Sequence, residues 1–237
     1  MDTTNRRAPF IVIEGLDRSG KTTQTSKLHS RLQSIGIQAN LMKFPDRTTP
    51  IGQMIDSYLR SASELDDRAI HLLFSANRWE ASSNIEKLLT GGTPIICDRY
   101  AFSGIAFSAS KVASDGSLLL PFEWCRSPEI GLPAPDLVIF FDISPEKAKQ
   151  RRGYGEERYE KEEMQGRVRG AFHRLGEEMK SASGGTRWVS LDAGRDEKTV
   201  EADVWALVEP LVKEGMHAPV SKLWIGPNVG TNGHSTQ

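Results

Sequence analysis

Phe10-Ile11-Val12-Ile13, an apolar run rich in β-branched residues, leads into Gly15-Leu16-Asp17-Arg18-Ser19-Gly20-Lys21-Thr22, and helix-forming residues follow. Strand, glycine-bearing loop and helix in that order admit few folds. The glycines let the backbone curl so that successive N–H groups face one anion, and the helix N-terminus adds the positive end of its dipole. The eight residues match GxxxxGK[ST] in the structural context that the pattern needs. The expected occupant is a nucleoside triphosphate, with Gly15, Asp17, Arg18, Ser19, Gly20, Lys21, Thr22 and Thr23 around its phosphates. Lys21 should reach the β- and γ-phosphates, and Thr22 should ligate Mg²⁺.

Further apolar stretches fall at 37–44, 94–97, 137–143 and 188–191. Most are separated by segments with helical patterning, at 21–35, 50–59, 67–89, 102–113, 145–151, 159–180 and 198–214. Strands alternating with helices predict an α/β fold, a parallel sheet flanked by helices. Ligands of such sheets collect beyond the carboxyl ends of the strands. Those ends read Glu14-Gly15, Phe44-Pro45-Asp46-Arg47, Asp98-Arg99 and Asp192-Ala193-Gly194-Arg195, so polar and charged residues recur where a ligand would sit.

Composition narrows the partners. The 237 residues hold 30 Lys+Arg against 31 Asp+Glu, a net charge of −1, so no global field draws nucleic acid or an anionic membrane, and anions must be held by local clusters. The two cysteines, Cys97 in an apolar run and Cys125 beside Trp124, form no CxxC or Cys/His ligand set; they read as packing residues of a reducing compartment. No segment approaches membrane-spanning length, and the start of the chain is too short in apolar residues for a signal peptide. One domain is expected over 9–225, with a flexible N-terminus at 1–8 and a disordered tail rich in Gly, Asn, Ser and Thr at 226–237.

Asp98-Arg99-Tyr100 closes the run at 94–97 and resembles the DRY motif of the thymidylate kinases. Phe44-Pro45-Asp46-Arg47, Leu73-Phe74-Ser75-Ala76-Asn77-Arg78-Trp79-Glu80, Asp98-Arg99-Tyr100-Ala101-Phe102-Ser103-Gly104 and Glu157-Arg158-Tyr159-Glu160 are similar to blocks of that family. The likeness runs in order from about Phe10 to about Trp224. It implies a P-loop NTPase three-layer αβα sandwich with a five-stranded parallel sheet and a lid at about 151–163. It also implies transfer of a phosphoryl group from Mg·ATP to dTMP. A homodimer in the cytosol, with the nucleus as a second location, follows from the same resemblance.

The residue chemistry runs alongside. Phosphoryl transfer between two nucleotides needs a cation clamp on each phosphate chain and an in-line arrangement. Arg47 and Arg99 stand at two strand ends, and their planar forks suit a monophosphate; either one alone would more often be a surface ion pair. Phe74 and Arg78 lie four apart on one helical face. That spacing suits stacking on a base with a donor beside it, and equally a core phenylalanine with a snorkelling arginine; the resemblance assigns the pair to thymine. Asp98 ends a strand near the loop, where a carboxylate can hold Mg²⁺ or cap the strand.

Other roles rest on the resemblance. Asp17 would bind the 3′-hydroxyl of the acceptor, and Arg18 would lean on the γ-phosphate, so that Lys21, Arg18, Asp98 and Arg99 form the catalytic set. Phe44, Ser103, Gly104, Phe107, Tyr159 and Gln165 join the acceptor site, Phe107 crowding the sugar's 2′ carbon. Arg151 belongs to the lid on the ATP side, and Glu160 joins Thr22 and Asp98 at the metal. Arg195 matches a loop packing on adenine, or is a surface arginine. The rivals are another nucleotide or deoxynucleoside kinase, and a nucleotide-binding regulatory switch; the guanine-reading NKxD pattern of many such switches is absent from the chain.

Overall fold

A computed structural model describes residues 6–151, 158–159, 161–181 and 185–225. Five strands, β1 (Phe10–Gly15), β2 (Asn40–Lys43), β3 (Ile95–Asp98), β4 (Leu137–Asp142) and β5 (Arg187–Asp192), form one parallel sheet in the order β2-β3-β1-β4-β5. The three central strands are apolar almost throughout because helices cover both of their faces; every residue of β1 and β3 is buried. The edge strands β2 and β5 carry exposed positions instead.

Helix α1 (Lys21–Ser34) packs on α8 (Glu197–Glu214) against the sheet, while α4 (Ala101–Ala109) lies among α3 (Asp67–Thr90), α5 (Phe122–Arg126) and α7 (Glu162–Ser181). Short helices α2 (Pro50–Leu59) and α6 (Pro145–Lys149) follow β2 and β4. This is the layered α/β architecture expected. Thr49, Asp66 and Asp196 accept backbone N–H groups at the starts of α2, α3 and α8. The residue before α1 is Gly20, at φ 94°, and no side chain caps that helix. Its first N–H groups are thereby left to an anion.

Register brings the functional strand ends level. Lys43 and Ile13 both pair with Asp98, and Gly15 pairs with Phe141. Gly15 adopts φ +149°, and a Cβ there would come 2.7 Å from the Phe141 carbonyl oxygen, so this entry to the loop requires glycine.

Several expectations change. The strand expected at 37–44 pairs only from Asn40, because Gly36 and Ile37 still donate back to Gln33 and Leu32 at the end of α1. The helix expected at 102–113 ends at Ala109; the Ser110 hydroxyl donates to the Ala106 carbonyl, and Val112 then bridges Leu118 antiparallel. Helix α7 begins at Glu162 rather than at Tyr159. The sequence gives no periodic signal for α5 or for the 3₁₀ turn Ser127–Glu129 that continues it. At the N-terminus, a flexible 1–8 does not describe Arg7 and Ala8. Both are buried, Arg7 exchanges backbone hydrogen bonds with Met216, and its guanidinium grips Asp136 through two 2.7 Å bonds. The expected tail, 226–237, lies outside the described residues.

Candidate active site

A cavity of about 680 Å³ opens over the carboxyl ends of β1, β2, β3 and β5. One set of lining residues comes from the phosphate loop and α1, Asp17 through Gln24, joined by Arg151, Ala193, Arg195, Glu197 and Val200. A second set, from β2, α3 and α4, includes Phe44, Arg47, Phe74, Arg78, Ser103, Gly104 and Phe107, with Tyr159. Asp98 and Arg99 belong to the same lining. Most of the anticipated donor and acceptor residues thus share one cavity.

Lys21 is buried and its ammonium donates to the Leu16 carbonyl and, at 3.2 Å, to the Ser19 hydroxyl. Burial, and then the charge of Arg99, lower its pKa from 10.5 to about 7. The Thr22 hydroxyl donates to one oxygen of Asp98 at 2.6 Å, and the other Asp98 oxygen is buried without a hydrogen-bond partner. Arg18 sits in the left-handed region at φ 60°, its carbonyl held by Arg151 Nη1 at 2.8 Å. Arg151 Nη2 also donates to Ala193, so this side chain joins the phosphate loop to the turn after β5. Arg195, at the rim, pairs with Asp203 of α8.

Arg99 is the hub between the two sets. At φ 68° its backbone departs from the strand, and its N–H donates to Ile13. The guanidinium donates to the Gly15 carbonyl at 2.9 Å, to the Ser103 hydroxyl at 3.1 Å, and pairs with Asp17 while lying over the Phe107 ring. Glu14 holds this turn from beneath. Fully buried, it accepts the backbone N–H of Tyr100 and of Ser103 and the Ser103 hydroxyl. Burial raises its carboxyl pKa, against the opposing pull of Ser103 and of Arg99.

Gln165 is buried and does not line the cavity. Its amide instead clasps Asp17, accepting the Asp17 N–H at 3.1 Å and donating to Asp17 Oδ2 at 2.8 Å, with a further bond to the Tyr159 carbonyl. Gly15 likewise contributes a carbonyl to Arg99 rather than surface to the cavity. Arg47 forms an ion pair with Asp56 at 2.7 Å on the cavity's rim. Tyr159 packs against Phe107, ring centroids 5.7 Å apart. Glu160 and most of the expected lid lie outside the described residues.

Sequence reasoning assigned no role to Gln24, Lys43, Pro45, Leu59, Tyr100, Ser108, Ala193, Glu197 or Val200 in the lining, nor to the carboxylates Glu14 and Glu129 behind it. Lys43 had a usable signal, its place at the ligand-side end of a strand. Among the described residues no three His, Cys, Asp or Glu side chains gather as a metal-binding group, and no helix is long and apolar enough to cross a membrane.

A family model described as thymidylate kinase matches residues 13–204. A thymidylate kinase of Schizosaccharomyces pombe is 50% identical over 202 residues, covering 85% of this chain and 92% of that protein. One of Arabidopsis thaliana is 48% identical over 219 residues, covering 92% and 78% respectively. One of Homo sapiens is 41% identical over 219 residues, covering 92% and 98%. Among solved structures, a thymidylate kinase of Candida albicans superposes with a TM-score of 0.80 at 38% identity, covering 92% of this chain and 99% of that one.

Proposed function

The chain belongs to the thymidylate kinase family, and on that premise we propose that it transfers the terminal phosphoryl group of ATP to the phosphate of dTMP, giving ADP and dTDP for nucleotide biosynthesis. The observation that carries this reading is the single cavity in which Arg99 is tied at once to the phosphate loop, through Gly15 and Asp17, and to Ser103 of the acceptor set. Two phosphate chains brought to such a hub meet end to end, the arrangement that direct transfer requires. No phospho-enzyme is needed.

In this mechanism the uncapped start of α1 and the Lys21 ammonium hold the β- and γ-phosphates, and Arg18 adds charge as the transferring group loosens. Arg47 and Arg99 orient the acceptor phosphate, Asp17 takes the sugar's 3′-hydroxyl, Phe107 crowds the 2′ position, and Phe74 with Arg78 receives the base. Gln165 acts through Asp17, and Glu14 through the Arg99 turn. Mg²⁺ fits at Thr22 and Asp98, where one carboxylate oxygen is buried and unpartnered. When bound it neutralises charge on the phosphates, and a site with one carboxylate and one hydroxyl is typical of a cation held largely by its substrate. Glu160 is assigned to the same ion. Arg195 is assigned to the adenine side.

The same reading makes the working form a homodimer in the cytosol, with the nucleus as a second location. Exposed Leu72 and Trp79, seven apart on α3, offer a second copy an apolar face; sedimentation at micromolar concentration tests it. The reaction is tested by coupled ADP release with dTMP, UMP, dCMP, thymidine or no acceptor. ADP formation that requires dTMP supports the proposal. Slow hydrolysis indifferent to dTMP would instead indicate a nucleotide-binding switch, and turnover with thymidine a nucleoside kinase.

A further inference from the structure

Arg78 lines the cavity, yet its side chain is only 3% exposed. Two of its three guanidinium nitrogens are already engaged. Nε donates to Glu129 Oε2 at 2.9 Å and Nη2 donates to Glu129 Oε1, a fork-to-fork pair in which Glu129 is wholly buried. Glu129 is itself anchored to the helix that carries Arg78. It ends the turn Ser127–Glu129, and the preceding Pro128 carbonyl accepts the Ser75 hydroxyl at 3.0 Å and the Trp79 indole N–H at 2.7 Å. Residues 75 and 79 each follow one of the two base-facing positions, 74 and 78, so one turn of chain braces both.

The guanidinium is also closed in by α4. A Cβ at Gly104 would stand 3.0 Å from Cζ and 3.1 Å from Nη1 of Arg78, and nearer still to Nη2. Held by a carboxylate and hemmed in by a glycine backbone, the planar group keeps one orientation, with Nη1 the nitrogen outside the ion pair. Nη1 carries N–H donors and no acceptor. It can pair with a ring carbonyl oxygen, whereas an exocyclic amine would face it donor to donor.

We propose that Glu129 is a positioning residue for specificity: by fixing the Arg78 fork beside Gly104, it keeps the Nη1 donors turned toward the base and so selects 4-keto over 4-amino pyrimidine monophosphates. The inference rests on the proposed acceptor site. A neutral glutamine in its place offers one acceptor oxygen and turns an NH₂ toward the guanidinium, which releases the fork. An aspartate keeps the charge with a shorter reach.

The test compares kcat and KM for dTMP and dCMP in the wild type, Glu129→Gln, Glu129→Asp and Gly104→Ala, each with a melting curve. In Glu129→Gln the dTMP:dCMP ratio of kcat/KM should fall by about tenfold or more, mainly through a higher KM for dTMP, with KM for ATP within about twofold of wild type. Glu129→Asp should recover part of the ratio. Gly104→Ala keeps the ion pair's charges but crowds the fork, Nη2 most closely, and should lower the ratio as well; it serves the test where Glu129→Gln does not fold. A folded Glu129→Gln with the wild-type ratio, whatever its melting temperature, overturns the proposal, as does an unchanged ratio in Gly104→Ala if Glu129→Gln is unfolded. A wild type that does not use dTMP would overturn the functional reading itself, a separate outcome seen before any variant is made.

Discussion

Nucleotide binding should draw a proton onto Lys21. The ammonium is buried against the loop it serves, and with Arg99 nearby its pKa falls from 10.5 to about 7. Before nucleotide is added at pH 8, the side chain therefore carries roughly a tenth of a proton. A triphosphate placed against it favours the charged form and restores the pKa toward its ordinary value. Uptake at this site should then be about 0.9 proton at pH 8 and only about 0.1 at pH 6, where the group is already charged. Recharging at pH 8 therefore costs about tenfold in affinity relative to acid pH. Titration calorimetry in two buffers of different ionisation enthalpy measures the uptake, and subtracting Lys21→Met at each pH removes protons contributed by the nucleotide itself. The sign for stability follows from the same shift. Between pH 7 and 10.5 the unfolded chain holds the proton and the folded chain has released it, so the protein without nucleotide gains stability as pH rises through that window, and Lys21→Met abolishes this component. Equal uptake by wild type and Lys21→Met at pH 8 would refute the argument.

Arg18→Gly should lower kcat more than it raises KM for ATP, since its contact is expected to strengthen as charge develops; a pure KM effect would make it a binding residue only. Phe107→Ala should relax discrimination against the ribose of UMP while leaving the preference for dTMP over dCMP intact, measured as kcat/KM; loss of both preferences would refute a sugar-specific role. Arg7→Ala strands a buried carboxylate, and although Asp136 keeps the Phe10 N–H at 2.8 Å, it should cost about 3 kcal/mol. For a domain of this size that lowers Tm by roughly 6–12 °C in calorimetry, and a fall of under about 2 °C would show the pair to be dispensable.

What the sequence discloses about this site is local. The phosphate loop is legible because glycines, lysine and threonine must lie at fixed spacing for one backbone to wrap an anion. Arg99 is legible because it follows a strand directly and Arg47 because it stands in the loop just beyond one, and Phe74 with Arg78 because 3.6-residue periodicity puts them on one face. Glu129 is not, for it stands 51 residues from Arg78 in a three-residue turn without periodicity. Glu14 was visible at a strand end, but only the fold shows that it points beneath the Arg99 turn rather than into the cavity. Gln165 presents the reverse case: the resemblance put it at the ligand, and the structure puts Asp17 between. The overrun at 102–113 has a simple origin, since the small residues Ser110 and Ala113 continue a helical pattern while the hydrogen bonds of Ser110 end it.

The backbone bridge between Arg7 and Met216 has a use unconnected with catalysis. It lies before β1 begins, at the end of the sheet turned away from the phosphate loop, and the six residues of β1 separate the two by about 20 Å. Two distant stretches of chain thus emerge side by side on the base of the molecule. A label attached beside either stretch would stand far from the cavity and leave every strand in place. A tether to a solid support attached beside that bridge would likewise hold the molecule mouth outward, with both nucleotides free to approach.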